Sequence, residues 1–233
     1  MENWIENKLI EHYDNYNTGK TIGGINFRKC HFLGSKISYY KKPQKRTVVR
    51  DVQLIQCEIT GCSITGVIVE NVIVDGLKTH NDFDSWGAVF KHVVLKGRIG
   101  SVLISPLVYV FGNERKQKAF DVANKAYYEE IDWALDISEI RLLTPIDIRG
   151  IPSRLIRRDP ALQAVVTLEK AKERKWETLD LSGTYWDGYI RSLLKNGWED
   201  TILTVPKRAP KERYMKYLDG IKKLRDAGVA EPD

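Results

Sequence analysis

The sequence of 233 residues lacks the features of a membrane or secreted protein. It has no run of 18 apolar residues, so we expect no membrane-spanning helix. The first residues, MENWIENKLIEHY, lack the apolar centre of a signal peptide. There are three cysteines, an odd number that does not form a disulfide framework. These absences predict a reduced, cytoplasmic protein.

The motifs of common metal sites and hydrolases are also missing. There is no C-x-x-C pair and no G-x-S-x-G elbow, and Cys30, Cys57 and Cys62 do not have metal-ligand spacing. The segment NTGKTIGG is similar to the end of a phosphate-binding loop, but Asp14 stands where that loop requires its first glycine. We therefore predict no metal and no cofactor, and we expect buried, inert thiols.

What the sequence does have is a five-residue repeat, clearest in residues 52–77, VQLIQCEITGCSITGVIVENVIVDGL. Its apolar positions follow alternating steps of two and three, which neither a helix nor a flat strand gathers on one face. A chain that turns a corner every five residues does gather them. Gly61, Gly66, Asn71 and Gly76 recur where such corners need a permissive backbone. The positions predicted to point inward are Val52, Leu54, Cys57, Ile59, Cys62, Ile64, Val67, Val69, Val72, Val74 and Leu77.

The same spacing covers about residues 22–110 and resumes at 134–152. Internal repeats of this kind indicate a solenoid, in which each coil buries its face against its neighbours. The pattern resembles the pentapeptide-repeat proteins, whose chains wind a right-handed square β-helix. The resemblance lies in spacing, because Gln53 and Glu58 occupy positions where the family favours Asp or Asn. It implies a mainly β fold: a right-handed parallel β-helix of four to five coils, with capping helices.

The net charge of +6 is concentrated on the repeat. Residues 21–110 contain 12 Lys and Arg against 6 Asp and Glu, whereas the remainder is balanced. The best-known proteins of the family protect DNA gyrase and are thought to imitate DNA with an acidic rod. A basic rod contradicts that imitation, so we do not expect the activity here.

Outside the repeat, the pattern predicts helices and a second module. Residues 2–15 read as an amphipathic helix that caps the open end of the solenoid. Residues 113–131 predict an inserted helix with Asn113 as its N-cap. We place the β-helix at 1–152 and a small, helix-rich α/β module at 153–233.

Within that module, Asp159 and Pro160 predict the start of a helix reaching Arg174, with AVVT as an alternative short strand. DGYIRSLLKNG predicts a helix, DTILTVP a strand, and residues 210–227 a basic amphipathic helix. The phrases WGAVFKHVVL, DWALDIS and DLSGTYW are similar to uncharacterised bacterial proteins, which implies no function.

Residues 38–46, SYYKKPQKR, interrupt the repeat and predict an outward loop. Aromatic rings beside positive charge are what single-stranded nucleic acid requires, although a solvated loop is the simpler interpretation. The candidate partner-binding residues are Tyr39, Tyr40, Lys41, Lys42, Lys45, Arg46 and Arg50.

A second polar cluster lies in THNDFDSWG, where His80, Asp82 and Asp84 alternate. On an extended corner the three side chains would face one way, able to bind a metal or share a proton. The alternative is an ordinary polar corner anchored by Phe83 and Trp86.

These observations predict a non-enzymatic interaction protein with a macromolecular partner. A protein partner is favoured, either a toxin that it neutralises or a nucleic-acid enzyme that it modulates. One alternative is a weak nucleic-acid binder using residues 39–50, and another is an enzyme with its site between rod and module. The sequence leaves the oligomeric state open.

Overall fold

The fold is mainly β, with parallel sheets and four helices, in a computed structural model that describes residues 3–108 and 113–231. Its stacked parallel strands are compatible with a parallel β-helix. None of the helices in these ranges is both long and apolar enough to cross a bilayer.

Most of the strands are short, β8 and β10 being the long exceptions, and most belong to two parallel sheets. The first sheet has 12 strands, the second has six, and a separate antiparallel pair follows in the C-terminal part. In chain order the strands are β1 (Trp4–Glu6), β2 (Leu9–Glu11), β3 (Asp14–Tyr16), β4 (Thr21–Gly23), β5 (Asn26–Arg28), β6 (His31–Leu33), β7 (Lys36–Ser38), β8 (Val48–Thr60), β9 (Ser63–Thr65), β10 (Ile68–Thr79), β11 (Phe83–Trp86), β12 (Val89–Lys91), β13 (Val93–Ile99), β14 (Val102–Ser105), β15 (Leu135–Asp136), β16 (Ile140–Leu142), β17 (Asp147–Ile148), β18 (Ile156–Arg157), β19 (Gln163–Thr167) and β20 (Asp200–Thr204).

The described residues also form four α-helices. They are α1 (Glu114–Glu129), α2 (Leu168–Lys172), α3 (Trp186–Asn196) and α4 (Lys211–Asp226). Short 3-10 helices span Pro43–Lys45, Ser153–Leu155 and Lys175–Thr178.

The strand register follows the five-residue repeat. Ile68 on β10 pairs in parallel with Val48 on the preceding strand β8 and with Val89 on the later strand β12. Each partner lies about 20 residues, or four repeats, away along the chain. Insertions lengthen the connection between consecutive strands in two places, between β7 and β8 and between β14 and β15.

The predicted inward positions form one core, which confirms the five-residue phase. Nine of the eleven are buried, and Leu54 and Ile64 are half-buried against the same cluster. The corners are confirmed as well, because Gly61, Asn71 and Gly76 all have positive φ. At Gly66 (φ +59) any side chain would also meet the carbonyl oxygen of Tyr39 at 2.1 Å.

The helix predicted for residues 2–15 is wrong. These residues form β1, β2 and β3, which pair with β5, β6 and β7 and so extend the parallel sheets by one layer. Trp4, Ile5, Leu9 and Tyr13 suit one face of a helix, but Ile5 and Ile10 also fit the five-residue spacing, and stacking on the next layer decides between the two.

The two interruptions of the strand ladder meet in space. The predicted inserted helix is confirmed as α1, and the Asn113 side chain accepts a hydrogen bond from the Lys116 backbone N–H at 3.1 Å. Helix α1 packs against the 3-10 helix Pro43–Lys45 and against β12. A loop and a helix that are far apart in the chain therefore share one side of the strand stack.

The C-terminal part is built on the antiparallel pair β19–β20. The alternative strand for AVVT is confirmed, and only the short helix α2 forms where a helix from Pro160 to Arg174 was predicted. Helices α3 and α4 and strand β20 are confirmed. Successive side chains of β19 and β20 point to opposite faces of the pair. Val165 and Ile202 therefore pack in the core of the parallel strands, whereas Val166 and Leu203 belong to a second core that contains Trp186.

Hydrogen bonds fasten this part to the last parallel strands. The Arg208 backbone N–H donates to the Leu142 carbonyl at 2.8 Å, and Gln163 Nε2 donates to the Ile137 carbonyl at 2.9 Å. The parallel sheet also runs past residue 152, because β18 pairs with β15.

Candidate binding surfaces

The predicted basic loop is only partly exposed. Lys41, Lys42 and Lys45 face solvent around the 3-10 helix. Arg50 lies beyond the loop on β8, is exposed, and has its Nε 4.0 Å from a carboxylate oxygen of Asp51. These four positions remain candidates for contact with a partner.

Arg46 does not face outward, which corrects the prediction of a wholly outward loop. Its side chain is buried, and its Nη2 donates to Asn124 Oδ1 at 2.6 Å. The guanidinium lies 4.6 Å from the centre of the Phe120 ring, and it forms no ion pair with any residue of the described ranges. Burial lowers the pKa of Arg46 to about 10, so it stays charged at neutral pH. Arg46 therefore fastens the loop to α1.

Both tyrosines are also withdrawn from solvent. Tyr39 is buried. Tyr40 is half-buried, and Lys116 Nζ lies 5.4 Å from the centre of its ring. Burial prevents Tyr39 from stacking on a base, and Lys116 lies over the ring of Tyr40.

The first turns of α1 enlarge the basic surface. Arg115 and Lys118 are exposed there, and Lys116 reaches Tyr40 of the loop. We call this surface the basic patch, with Glu114 as the acidic residue of the first helical turn. It consists of Lys41, Lys42, Lys45, Arg115, Lys116 and Lys118.

The cluster of His80, Asp82 and Asp84 does not converge on one point. His80 Nε2 lies 2.8 Å from Glu58 Oε2, and its ring centre lies 5.7 Å from that of His31. Asp84 belongs to β11, where burial and then the charge of Asp82 raise its pKa. Within residues 3–108 and 113–231, no three His, Cys, Asp or Glu side chains are placed to hold a metal. The geometry favours the ordinary polar corner.

Glu58 connects this corner to the outer face of the sheet. Hydrogen bonds from His80 and then Lys78 lower the pKa of the Glu58 carboxyl. The pair with Lys78 has a length of 3.0 Å, and both side chains are substantially exposed. Such pairs contribute about 0–1 kcal/mol to stability.

The three cysteines are free and buried, as predicted. Cys57 Sγ lies 3.6 Å from the Phe27 carbonyl oxygen, and burial raises the pKa of its thiol. A raised pKa disfavours the reactive thiolate. The inertness of these thiols stays a prediction.

The segment DLSGTYW has a packing role. Thr184 Oγ1 donates to the Leu181 carbonyl at 2.8 Å, just ahead of α3. Asp187 lies inside the first turn of α3 and pairs with Arg191 at 2.8 Å.

A cleft of about 570 Å³ lies between the parallel strands and the C-terminal part, and the sequence marked none of its lining residues as functional. It lies between α1, residues 150–154 and the end of α3 with the start of β20. Residues 106–107 complete the lining, and none of these segments has a local motif that signals a site. Its charged lining residues are Asp121, Lys125, Glu129, Arg154, Glu199 and Asp200.

No protein-family model matches the chain, and neither does any curated protein or solved structure.

Proposed function

We propose that this chain is a non-catalytic binding protein of the cytoplasm that presents its basic patch to an acidic macromolecular partner. The observation that carries the proposal is the meeting of two insertions, the loop before β8 and helix α1, on one side of the strand stack. Each insertion alone is an ordinary charged segment. Together they place six cations on one surface, which attracts a partner of opposite charge.

We further propose that the scaffold is a right-handed parallel β-helix of the pentapeptide-repeat type. Support comes from parallel partners that lie about four repeats apart along the chain and from the positive-φ corners between successive strands. Under this interpretation the strands make six coils, the first of them formed by β1 to β3 and the last by β15 to β17. A rigid scaffold of this kind holds both insertions in fixed positions.

A protein partner fits the patch better than single-stranded nucleic acid does. Recognition of single strands relies on aromatic side chains that stack on bases. Tyr39 is buried and Tyr40 is half-buried beneath Lys116, so the patch supplies charge without stacking. An acidic protein surface, on a toxin or on a nucleic-acid enzyme, requires only the charge.

Fluorescence anisotropy with three labelled probes tests the proposal: a polyglutamate peptide, single-stranded DNA and duplex DNA. We compare the native protein with the triple variant Lys41→Ser, Lys42→Ser, Lys45→Ser at two salt concentrations. The matched control is Lys172→Ser, Lys195→Ser, Lys207→Ser, which removes three exposed lysines that form no ion pair within the described chain.

The proposal predicts that the peptide binds, that salt weakens binding, and that the triple variant loses affinity while the control does not. Equal losses in the triple variant and the control would show that the patch is no binding surface. If single-stranded DNA binds at submicromolar concentration with a log–log salt slope of about −0.7 per phosphate contact, the nucleic-acid alternative replaces this one.

The remaining alternative is an enzyme with its site between the strands and the C-terminal part. The cleft is the place where such a site would lie, since α1, residues 150–154 and the end of α3 converge there. The described residues around it contain no metal-ligand group. That alternative stays a prediction.

A further inference from the structure

The cleft holds charges that the protein itself does not neutralise. Four carboxylates and two basic groups line it, so it is net acidic in a chain of net charge +6. None of the six makes an ion pair with a residue in the described ranges. On the surface of α3, by contrast, Asp187 and Arg191 pair at 2.8 Å.

Asn124 contributes a hydrogen-bond donor to the floor of the cleft. The residue is 6 % exposed, and its Oδ1 accepts from Arg46 Nη2 at 2.6 Å. Since an arginine can only donate, the oxygen must face Arg46, which leaves the amide nitrogen turned away from it.

Within the described residues that amide nitrogen has no hydrogen-bond partner, and it is accessible from the cleft. Some unpaired side-chain atoms of the described residues are sealed from solvent, and Arg46 Nε is one of them. The Asn124 amide nitrogen is not among those sealed atoms, so it is accessible. Because Asn124 lines the cleft and is otherwise buried, its accessible remainder lies in the cleft. A buried donor without a partner is costly unless a ligand or solvent satisfies it.

Asp200 contributes an acceptor that is held in a fixed position. It is 7 % exposed, and its carboxylate accepts from the Ser153 backbone N–H at 3.0 Å and from Ser153 Oγ at 2.7 Å. A carboxylate has about four lone-pair sites, so these bonds leave capacity for another donor. Burial raises the pKa of Asp200, and a cation placed beside it would offset that effect.

We propose that this cleft binds a small organic amine that also carries an oxygen acceptor. The ammonium group would lie toward Asp200 and the carboxylates at the mouth, and the oxygen would accept from the Asn124 amide nitrogen. The volume of about 570 Å³ is within the usual range of small-molecule sites, about 300–1,000 Å³. The site uses residues 121–129 of α1, whereas the basic patch uses residues 115–118, and the bond between Arg46 and Asn124 links the two surfaces.

Ligand-detected binding with matched probes tests this assignment. The probes are ethanolamine, ethylamine, ethylene glycol and acetate at equal concentrations. The readouts are the indole N–H signal of Trp198, which lines the cleft, in ¹H–¹⁵N spectra, and the melting temperature. The Trp198 signal is assigned by its loss in Trp198→Phe. We expect ethanolamine to move this signal most, ethylamine less, and ethylene glycol and acetate not at all.

Two variants and a control keep the test specific. Glu129→Gln with Glu199→Gln removes two exposed charges at the mouth and is expected to weaken ethanolamine binding about threefold or more. Glu130→Gln with Glu139→Gln removes two exposed acids outside the cleft and should leave binding unchanged.

Asn124→Asp keeps an oxygen toward Arg46 but turns the group facing the cleft from a donor into an acceptor. 2-Methoxyethylamine, whose ether oxygen can only accept, should bind the native protein more tightly than ethylamine does and should lose that advantage in Asn124→Asp. The assignment is overturned if ethylene glycol moves the Trp198 signal as much as the amines do. It is also overturned if no amine moves the signal, or if the mouth variant and its control bind equally.

Discussion

The parallel strands and the C-terminal part of the molecule handle charge in different ways. In residues 158–231 most ion pairs join neighbours three or four positions apart, such as Glu212 with Lys216 at 2.9 Å. Around the loop before β8 and the start of α1, the exposed cations Lys41, Lys42 and Lys45 have no such partners within the described chain. The C-terminal part also has exposed lysines without an ion pair, such as Lys172 and Lys195, but these are spread along the chain, whereas the three of the loop lie within five positions of one another.

The two regions also differ in how their cores are built. The parallel strands bury one or two side chains of each five-residue step, mostly Val, Ile and Leu. The C-terminal core is centred on large aromatic groups, and the rings of Trp186 and Tyr217 pack edge to face with centres 5.1 Å apart. The first core follows one rule along the chain, whereas the second depends on a few large residues.

The largest effect is expected where the repeat is most regular. Val67 is fully buried in the strand core, so Val67→Asp places an unpaired charge where the stacked layers cannot relax. We expect a loss of more than about 4 kcal/mol and an insoluble or unfolded protein. Solubility and circular dichroism measure this. Gln56→Asp, at an exposed corner with φ 53, is the control and should fold. A folded Val67→Asp protein would contradict the repeat phase.

Replacing Trp186 by Ala tests whether the two cores are independent. The lost packing should cost about 3–5 kcal/mol. Because Val165 and Ile202 join the C-terminal strands to the other core, both regions should unfold in one transition. All three cysteines lie between residues 30 and 62, so thiol labelling during denaturation reports on the parallel strands alone. Labelling that lags behind the loss of helical signal would show two separate units.

A smaller effect is expected for Arg46→Ser. It removes the contact with Phe120 and leaves Asn124 Oδ1 buried without its donor. We expect a loss of about 2–3 kcal/mol by urea denaturation. The neighbouring exposed change Lys45→Ser should cost less than about 0.5 kcal/mol. Equal costs would mean that Arg46 is as solvated as Lys45.

The smallest effect concerns pH. Burial raises the pKa of Asp200 in the folded protein, so its contribution to stability is full below the ordinary pKa of about 3.9 and is lost as pH rises through the raised value. Asp200→Asn, which cannot ionise, should flatten the decline in unfolding free energy above pH 4. Urea titrations at several pH values measure it. An unchanged pH profile would show that Asp200 is solvated.

The sequence predicts the strand core well because its information is periodic. The phase at Ile59, Val69 and Val74 is visible in the chain, and the burial of these side chains follows from it. At the N-terminus the apolar residues fit two periods, since Trp4 and Leu9 suit one face of a helix as well as the five-residue repeat. Only stacking against the next layer selects strands there.

The candidate surfaces were less predictable because they depend on contacts across long separations. Arg46 reads as a loop cation, and its burial requires Asn124, which lies on a helix much later in the chain. The cleft likewise combines α1 with the end of α3, and neither segment carries a recognisable motif. Periodicity specifies which residues point inward, but it does not specify which insertions meet.

The claim that the loop and α1 form one surface is tested most directly by a double-mutant cycle. The free energy of unfolding is measured in urea for the native protein, Arg46→Ser, Asn124→Ala and the double variant. If the 2.6 Å hydrogen bond joins the two insertions, the two changes should be coupled by about 0.5–3 kcal/mol. Costs that add within about 0.3 kcal/mol would contradict the contact and separate the two halves of the basic patch.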